Sequence, residues 1–466
     1  MIKKYKLSLF IFRRDLRLTD NTALIKACNK SDFVMPIFCF DQRQVVPKNN
    51  PFFSEHAAQF MLESLKDLTD EIKAKKGRLY FFVGTIEAIL SSIIPRLPIE
   101  AVFFNKDYTP FSLQRDHAIA QLCIENNVAC HAYDDVTLCS VQTLKNKQQK
   151  PYTVFTHFFN AAIRTSVIDL PVAMPFKMNW YIKSIEDSYE YHKVIDFYQL
   201  NKIKKPDTGI LGGFKHAEKI VSDLLAFLHY DKTKDVPSLS TTKLSPHIKF
   251  GTISIRQVYH AIVAQLEKTH PLMRQLYWHD FFIYTSFYRQ DMFGSCLRSE
   301  YNGLSWSENQ DHWDAWKDGK TGFPIIDAGM RELNQTGFMH NRIRMMVASF
   351  LVKDLHINWQ WGERYFAQKL VDYDPAVNNG NWQWCASVGV DAQPYFRIFN
   401  PWLGQKKYDP DCVYIKQWIP ELRKYDSQII HTWYNNKVES NKNYPKPIID
   451  HKIERVKALT QYKHMK

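Results

Sequence analysis

The segment Asp372-Tyr373-Asp374-Pro-Ala-Val-Asn378-Asn379-Gly380-Asn381-Trp382-Gln383-Trp384 packs more chemistry into a few residues than any other stretch of this chain. Its two carboxylates, four carboxamides and two indoles supply acceptors, donors and oxidisable rings. A planar heterocycle held away from water needs all three, so the segment points to a buried redox cofactor. An ordinary polar loop beside core tryptophans has the same composition, and the rest of the chain must decide between the two.

Two other segments bear on that choice. In Gly337-Phe-Met-His340-Asn341-Arg342-Ile-Arg344-Met345, helical spacing puts Asn341, Arg344, Met345 and Ala348 on one face. Apolar neighbours on that face argue that Arg344 is buried, and a buried guanidinium demands a carboxylate, for which Asp372 or Asp374 is the expected mate. In Ser240-Thr241-Thr242-Lys243-Leu244-Ser245-Pro246, a hydroxyl-rich run enters a helix with Ser245 as the expected N-cap and Pro246 at its first position. Such a run can bind a phosphate, with Tyr230 as one more donor, or simply cap the helix.

These side chains need elements to position them. Across the first third, Leu7–Phe12, Phe33–Phe40, Leu79–Val83 and Ala101–Phe104 read as buried parallel strands alternating with helices, with Thr19-Asp20-Asn21 capping the first helix. The pattern predicts an α/β domain over 1–135, although the strand order is not legible. Residues 136–205 are polar, rich in Lys and Gln and interrupted by Pro, as expected of an inter-domain linker. Over 206–466 helical periodicity takes over, as in Lys215–Leu228, Ile255–Glu267 and Arg342–Leu355, so the second domain is expected to be all-helical. Eleven of the twelve tryptophans lie at or after position 278, within that region.

Length and composition bound the rest. A chain of 466 residues exceeds what one core comfortably supports, which favours two domains. With 45% apolar and 23% charged residues, and no long uncharged apolar run, it reads as a globular protein that does not span a bilayer. Met1–Phe12 imitates a signal peptide but runs into Arg13-Arg14-Asp15 without a cleavage site, so a cytoplasmic location is expected if the source is bacterial. The eight cysteines show neither C-x-x-C pairs nor companion histidines, which argues against a metal or a disulfide framework. A formal charge of +13 suits a polyanionic partner such as nucleic acid.

Taken in order, the motifs resemble those of the photolyase/cryptochrome family from end to end. The resemblance rests on Phe12–Asn21, Ser240–Ser245, Leu276-Tyr-Trp278-His-Asp280-Phe-Phe282, Asp327-Ala-Gly-Met-Arg331, Gly337–Met345, Asn378–Trp384, Tyr395–Pro401 and the closing Tyr444–His451. It implies an α/β antenna domain, the linker and a helical FAD-binding catalytic domain, acting as a class I enzyme that splits cyclobutane pyrimidine dimers in UV-damaged DNA with light. By the same resemblance the flavin diphosphate falls to Tyr230, Thr241, Thr242, Lys243, Leu244 and Ser245. The ring falls to Arg344, Asp372, Tyr373, Asp374 and Asn378, with Asn378 at the reactive flavin nitrogen. Trp382, Trp359 and Trp306 match the family's electron chain from flavin to surface.

On the DNA side the resemblance assigns Trp278 and Trp384 to stack on the flipped pyrimidines, with Gln275, Asn341, Arg342 and Met345 in the same pocket. Enzymes acting on (6-4) photoproducts carry a second histidine after the position of His340, whereas Asn341 matches the cyclobutane-dimer enzymes. Gln275 departs from the bacterial pattern, which has glutamate there, and His279 replaces a common arginine. Phe111 and Ser112 stand where folate-binding relatives have an Asn-Glu pair, so a deazaflavin or a flavin is favoured over folate as second chromophore. The alternatives are a (6-4) photolyase, a cryptochrome-type blue-light receptor, and a flavin-free DNA-binding protein. A monomer is expected, with no membrane association.

Overall fold

The computed structural model describes residues 4–175, 178–189, 191–193, 209–435 and 444–465. The chain forms two compact units: one from the described residues of Met1–Lys205, Ile210–Leu228 and Lys243–Gln290, the other from those of Pro206–Gly209, His229–Thr242 and Asp291–Lys466.

The first unit is built on a parallel five-stranded sheet. Its strands are β1 (Tyr5–Phe12), β2 (Ser31–Phe40), β3 (Tyr80–Val83), β4 (Ala101–Asn105) and β5 (Ala129–Tyr133), in the order β3-β2-β1-β4-β5. The four expected strands are present. β5 escaped the sequence reading because Ala-Cys-His-Ala-Tyr at a half-covered edge has no apolar run. Alternate residues Leu7, Leu9, Ile11, Met35, Ile37, Tyr80, Phe82, Val102 and Phe104 form one buried face with the Ile86–Ile93 and Pro110–Glu125 helices. Phe10, Phe12, Phe40, Phe81 and Phe103 are buried as well, as a parallel sheet covered on both faces requires. Burying each such side chain contributes about 1.5–3 kcal/mol against the entropy of ordering the chain.

Asn21 caps the Thr22–Lys30 helix through the Leu24 amide, as its position suggested. The expected linker holds a helix at Phe155–Thr165, while its residues 176–177, 190 and 194–205 lie outside the described ones. Helices Glu55–Ala74, Phe214–Ser222, Ser245–Phe250, Ile255–Leu266 and Pro271–Tyr288 also belong to this unit.

The second unit is helical. Pro324–Thr336, Asn341–Lys353, Trp359–Lys369 and Pro375–Ala386 surround a core that includes Trp316, Val347, Leu351, Trp359, Phe366 and Trp382. Family-motif residues here include scaffold. Asp327 is fully buried, accepting from Thr321, the Gly322 amide and the Tyr444 hydroxyl (2.6 Å), and Arg331 forms a two-pronged pair with Glu421 at 2.9 Å.

Candidate functional site

Local sequence sets the helix that opens this site. Asp374 ends the extended chain as N-cap of Pro375–Ala386, its Oδ1 accepting from Ala376 and Val377 amides at 2.9 and 3.1 Å, and Pro375 occupies the first turn. Asn378 and Trp382, four residues apart, share a face and are buried. Trp384, two residues further, points nearly opposite and is only partly covered.

The four carboxamides divide by partner. Gln383 and Asn379 are structural: the Gln383 Nε2 donates to Asn379 Oδ1 (2.9 Å) and to carbonyls of Met292 and Ser295, and its Oε1 accepts from Leu297 N (2.9 Å). Asn381 is exposed and turned back to Val377 O. Asn378 donates from Nδ2 to the Glu363 carbonyl at 3.0 Å. Glu363, which the motifs did not flag, also accepts from Asn379 through its carboxylate, and burial pushes that carboxyl up to about 7. Its signal lies in three dimensions, on a helix turn facing Asn378.

Arg344 finds its mate in Asp372, not Asp374, through parallel contacts of 3.1 and 2.9 Å. Its Nε donates to Met339 O at 2.8 Å. Gly337, at φ 70°, ends the preceding helix in the left-handed region and turns the chain so that His340 caps Asn341–Lys353. His340 Nδ1 accepts from the Arg342 amide (3.1 Å), which places the proton of the neutral ring on Nε2. That Nε2 is buried with no hydrogen-bond partner among the described residues. Burial brings the imidazole down to about 4, so it is neutral near pH 7.

Around this group, Asn341 is exposed with Nδ2 3.9 Å from Met345 Sδ. Arg342 pairs with Asp235 (2.6 Å) and lies over the Tyr408 ring at 4.8 Å. Tyr230 and Tyr373 are partly covered, and burial raises both phenols. Thr241 and Thr242 belong to the second unit, as do Trp359 and Trp382, each 2% exposed, and Trp306, half-buried against the same core. Bidentate, amide and indole groups together with an orphaned buried imidazole N–H fit a bound flavin.

The first unit carries Lys243, Leu244, Ser245, Gln275 and Trp278. The expected Ser245 cap is corrected: Leu244 occupies the cap position with αR backbone, so Ser245 already lies inside the first turn, followed by Pro246. Gln275 is exposed. Trp278 stacks one face on Phe155 with centroids 3.6 Å apart and planes at 4°, a partner the sequence did not suggest.

At the carboxyl end of β1, flanked on one side by β2 and on the other by β4, lies the switch point where doubly wound sheets bind ligands. Arg13 sits there, paired to Asp116 and over the Phe104 ring (4.2 Å). Its Nε and Nη2, with Arg115 Nη2, are buried without a partner among the described residues.

Two family models match: one described as DNA photolyase over residues 8–175, the other as the FAD binding domain of DNA photolyase over residues 272–464. The deoxyribodipyrimidine photo-lyase of Alkalihalophilus pseudofirmus is 36% identical, across 97% of each chain. An archaeal photolyase from Sulfolobus tokodaii, solved with two FAD molecules, is 41% identical at TM-score 0.88, covering 98% of this chain and all of that one. A Synechocystis cryptochrome is 25% identical at TM-score 0.86, covering 99% of both. With this site on these elements, and with relatives matching over nearly its whole length, the chain belongs to the DNA photolyase family.

Proposed function

We propose that this protein splits cyclobutane pyrimidine dimers in UV-damaged DNA, as a class I enzyme driven by light. The observation that carries the choice of lesion is Asn341, exposed beside a buried and neutral His340, where a (6-4) enzyme has a second histidine to donate a proton. A bound, reduced flavin would supply light-driven one-electron chemistry with no net redox change.

The protein's residues hold and orient. Arg344, fixed by Asp372, and Asn378, fixed by the Glu363 carbonyl, border the ring with Tyr373 and Asp374. A neutral carboxamide at that place supports an anionic reduced ring without adding a second negative charge. Tyr230 and the run Thr241–Ser245 take the diphosphate. Trp382, Trp359 and Trp306 return electrons from solvent, a role that suits two buried indoles and one half-buried one. Trp278, with a face already ordered by Phe155, and Trp384 stack on the flipped bases, which offsets the cost of unstacking them. Gln275, Asn341, Arg342 and Met345 take further contacts to the DNA, and Arg342 exchanges Asp235 for phosphate.

We further assign the second chromophore to a flavin at the β1 switch point, with the Arg13 and Arg115 guanidinium groups facing its phosphate; the two-FAD relative at 41% identity supports this choice. The functional division stays at 1–135, 136–205 and 206–466. The active species is a monomer, cytoplasmic if the source is bacterial.

The test is light-dependent loss of cyclobutane dimers from an irradiated oligonucleotide, using anaerobically reduced protein with a (6-4) lesion in parallel. Repair of the cyclobutane lesion alone is expected. Repair of the (6-4) lesion, or of neither by a yellow photoreducible protein, would overturn the assignment.

A further inference from the structure

The second unit holds a cavity of about 320 Å³ lined by Trp313, Lys317, Trp361, Arg364, Tyr365 and Gln368, none of which belongs to the site described above. Its walls are rings: Trp313 meets Trp361 edge to face at 5.5 Å and Tyr365 at 5.8 Å, and Trp361 is 36% exposed. Lys317, which pairs with Asp314 at 2.7 Å and lies over the Trp313 ring, and Arg364 supply cationic groups that a phosphate would share, and Gln368 supplies an amide. Aromatic walls with two cations among them suit a neutral, electron-rich ring that carries a phosphate.

The cavity is also wired inward. Trp313 stacks on Trp316 with centroids 5.4 Å apart and planes at 18°. Trp316 is fully buried, held by its Nε1 donating to Val347 O at 3.0 Å, and lies 6.3 Å from Trp382. Three indoles thus run from Trp382 to the cavity wall, separately from Trp359 and Trp306. Tyr365 adds a second contact to Trp316 at 5.8 Å.

We propose that this cavity binds a phosphorylated dihydronicotinamide, and that Trp313 and Trp316 carry its electrons to Trp382. The inference rests on the reading of Trp382 as the flavin-side end of the electron chain. Under light, an electron would pass from Trp382 to the oxidised flavin of the loaded protein, leaving a vacancy on Trp382. An electron moves from Trp316 to Trp382 and another from Trp313 to Trp316. The vacancy on Trp313 is filled by one electron from the dihydronicotinamide, which then loses its C4 proton to solvent. A second light event takes the remaining electron, so one ligand delivers two electrons, releases one proton and leaves as nicotinamide.

The experiment uses flavin-loaded protein and reduced nicotinamide mononucleotide under blue light, which that probe does not absorb. Calorimetry should show saturable binding that Trp361→Ala weakens by about tenfold, the loss of one stacking surface. With the other exit blocked by Trp306→Phe, photoreduction should become dependent on the probe. Adding Trp316→Phe, or the more superficial Trp313→Phe, should abolish that dependence at unchanged flavin content. Absence of binding, or dependence that survives both substitutions, overturns the inference. Normal photoreduction in Trp382→Phe instead overturns the electron-chain reading beneath it.

Discussion

Gly362 lies against the Cη2–Cζ3 edge of Trp382 so closely that a Cβ built on it would clash with that edge and come within 2.6 Å of Leu351 Cδ2. Neither neighbour can yield cheaply, since both belong to the closed core. The glycine is therefore a space requirement of the indole. Gly362→Ala is expected to cost about 1–3 kcal/mol by overpacking. It should also slow photoreduction while sparing repair by chemically reduced enzyme, checked by denaturant melts and by flavin absorbance under illumination. Unchanged photoreduction would mean that the position of Trp382 is not critical.

Arg344 and Asp372 are one unit. The Asp372 side chain is 4% exposed and that of Arg344 22%, so truncating one charge strands the other in a poorly solvated place. Asp372→Asn should lose about 2–3 kcal/mol, less than a fully buried pair because Arg344 keeps some water. Flavin retention after gel filtration should fall with it. Arg344→Lys should do no better, since a point charge cannot replace the fork.

His340 gives a pH signature. Its value of about 4 lies below the ordinary 6.5, chiefly through burial, so the unfolded chain binds the proton more readily. The stability is present above pH 6.5 and is lost as pH falls through 4, about 3 kcal/mol in all. The imidazole resonance should titrate near 4 by NMR, and repair should not follow His340 ionisation between pH 6 and 8. In Asn341→His, repair of cyclobutane dimers should weaken by about tenfold, the worth of one well-placed polar contact.

In the α/β unit, Asp135 is held between Arg17 (2.5 Å) and Arg256 (2.8 Å). Burial alone would raise its carboxyl, but the two guanidinium groups outweigh that and bring it down to about 2. A carboxylate lowered on folding stabilises above its ordinary 3.8, and that contribution disappears as pH falls through 2, about 2–3 kcal/mol. Asp135→Asn should flatten the acid limb of stability between pH 4 and 2, measured by denaturant titration at each pH, and lower stability at pH 7.

The features legible from the order of residues are local and periodic. Four strands, the helical second half and the Asn21 cap all follow from neighbours a few residues apart. The long motifs carried the family for the same reason, being contiguous. Strand order emerges only on folding, because parallel pairing joins segments that are distant in the chain. Folding chose Asp372 over Asp374 as mate of Arg344, since Asp374 is committed to two amides of its own helix. It separated Asn378 from the structural Asn379 and Gln383, and it brought in Glu363, Gly362 and Phe155. Those roles depend on what packs opposite, and no spacing along the chain records that.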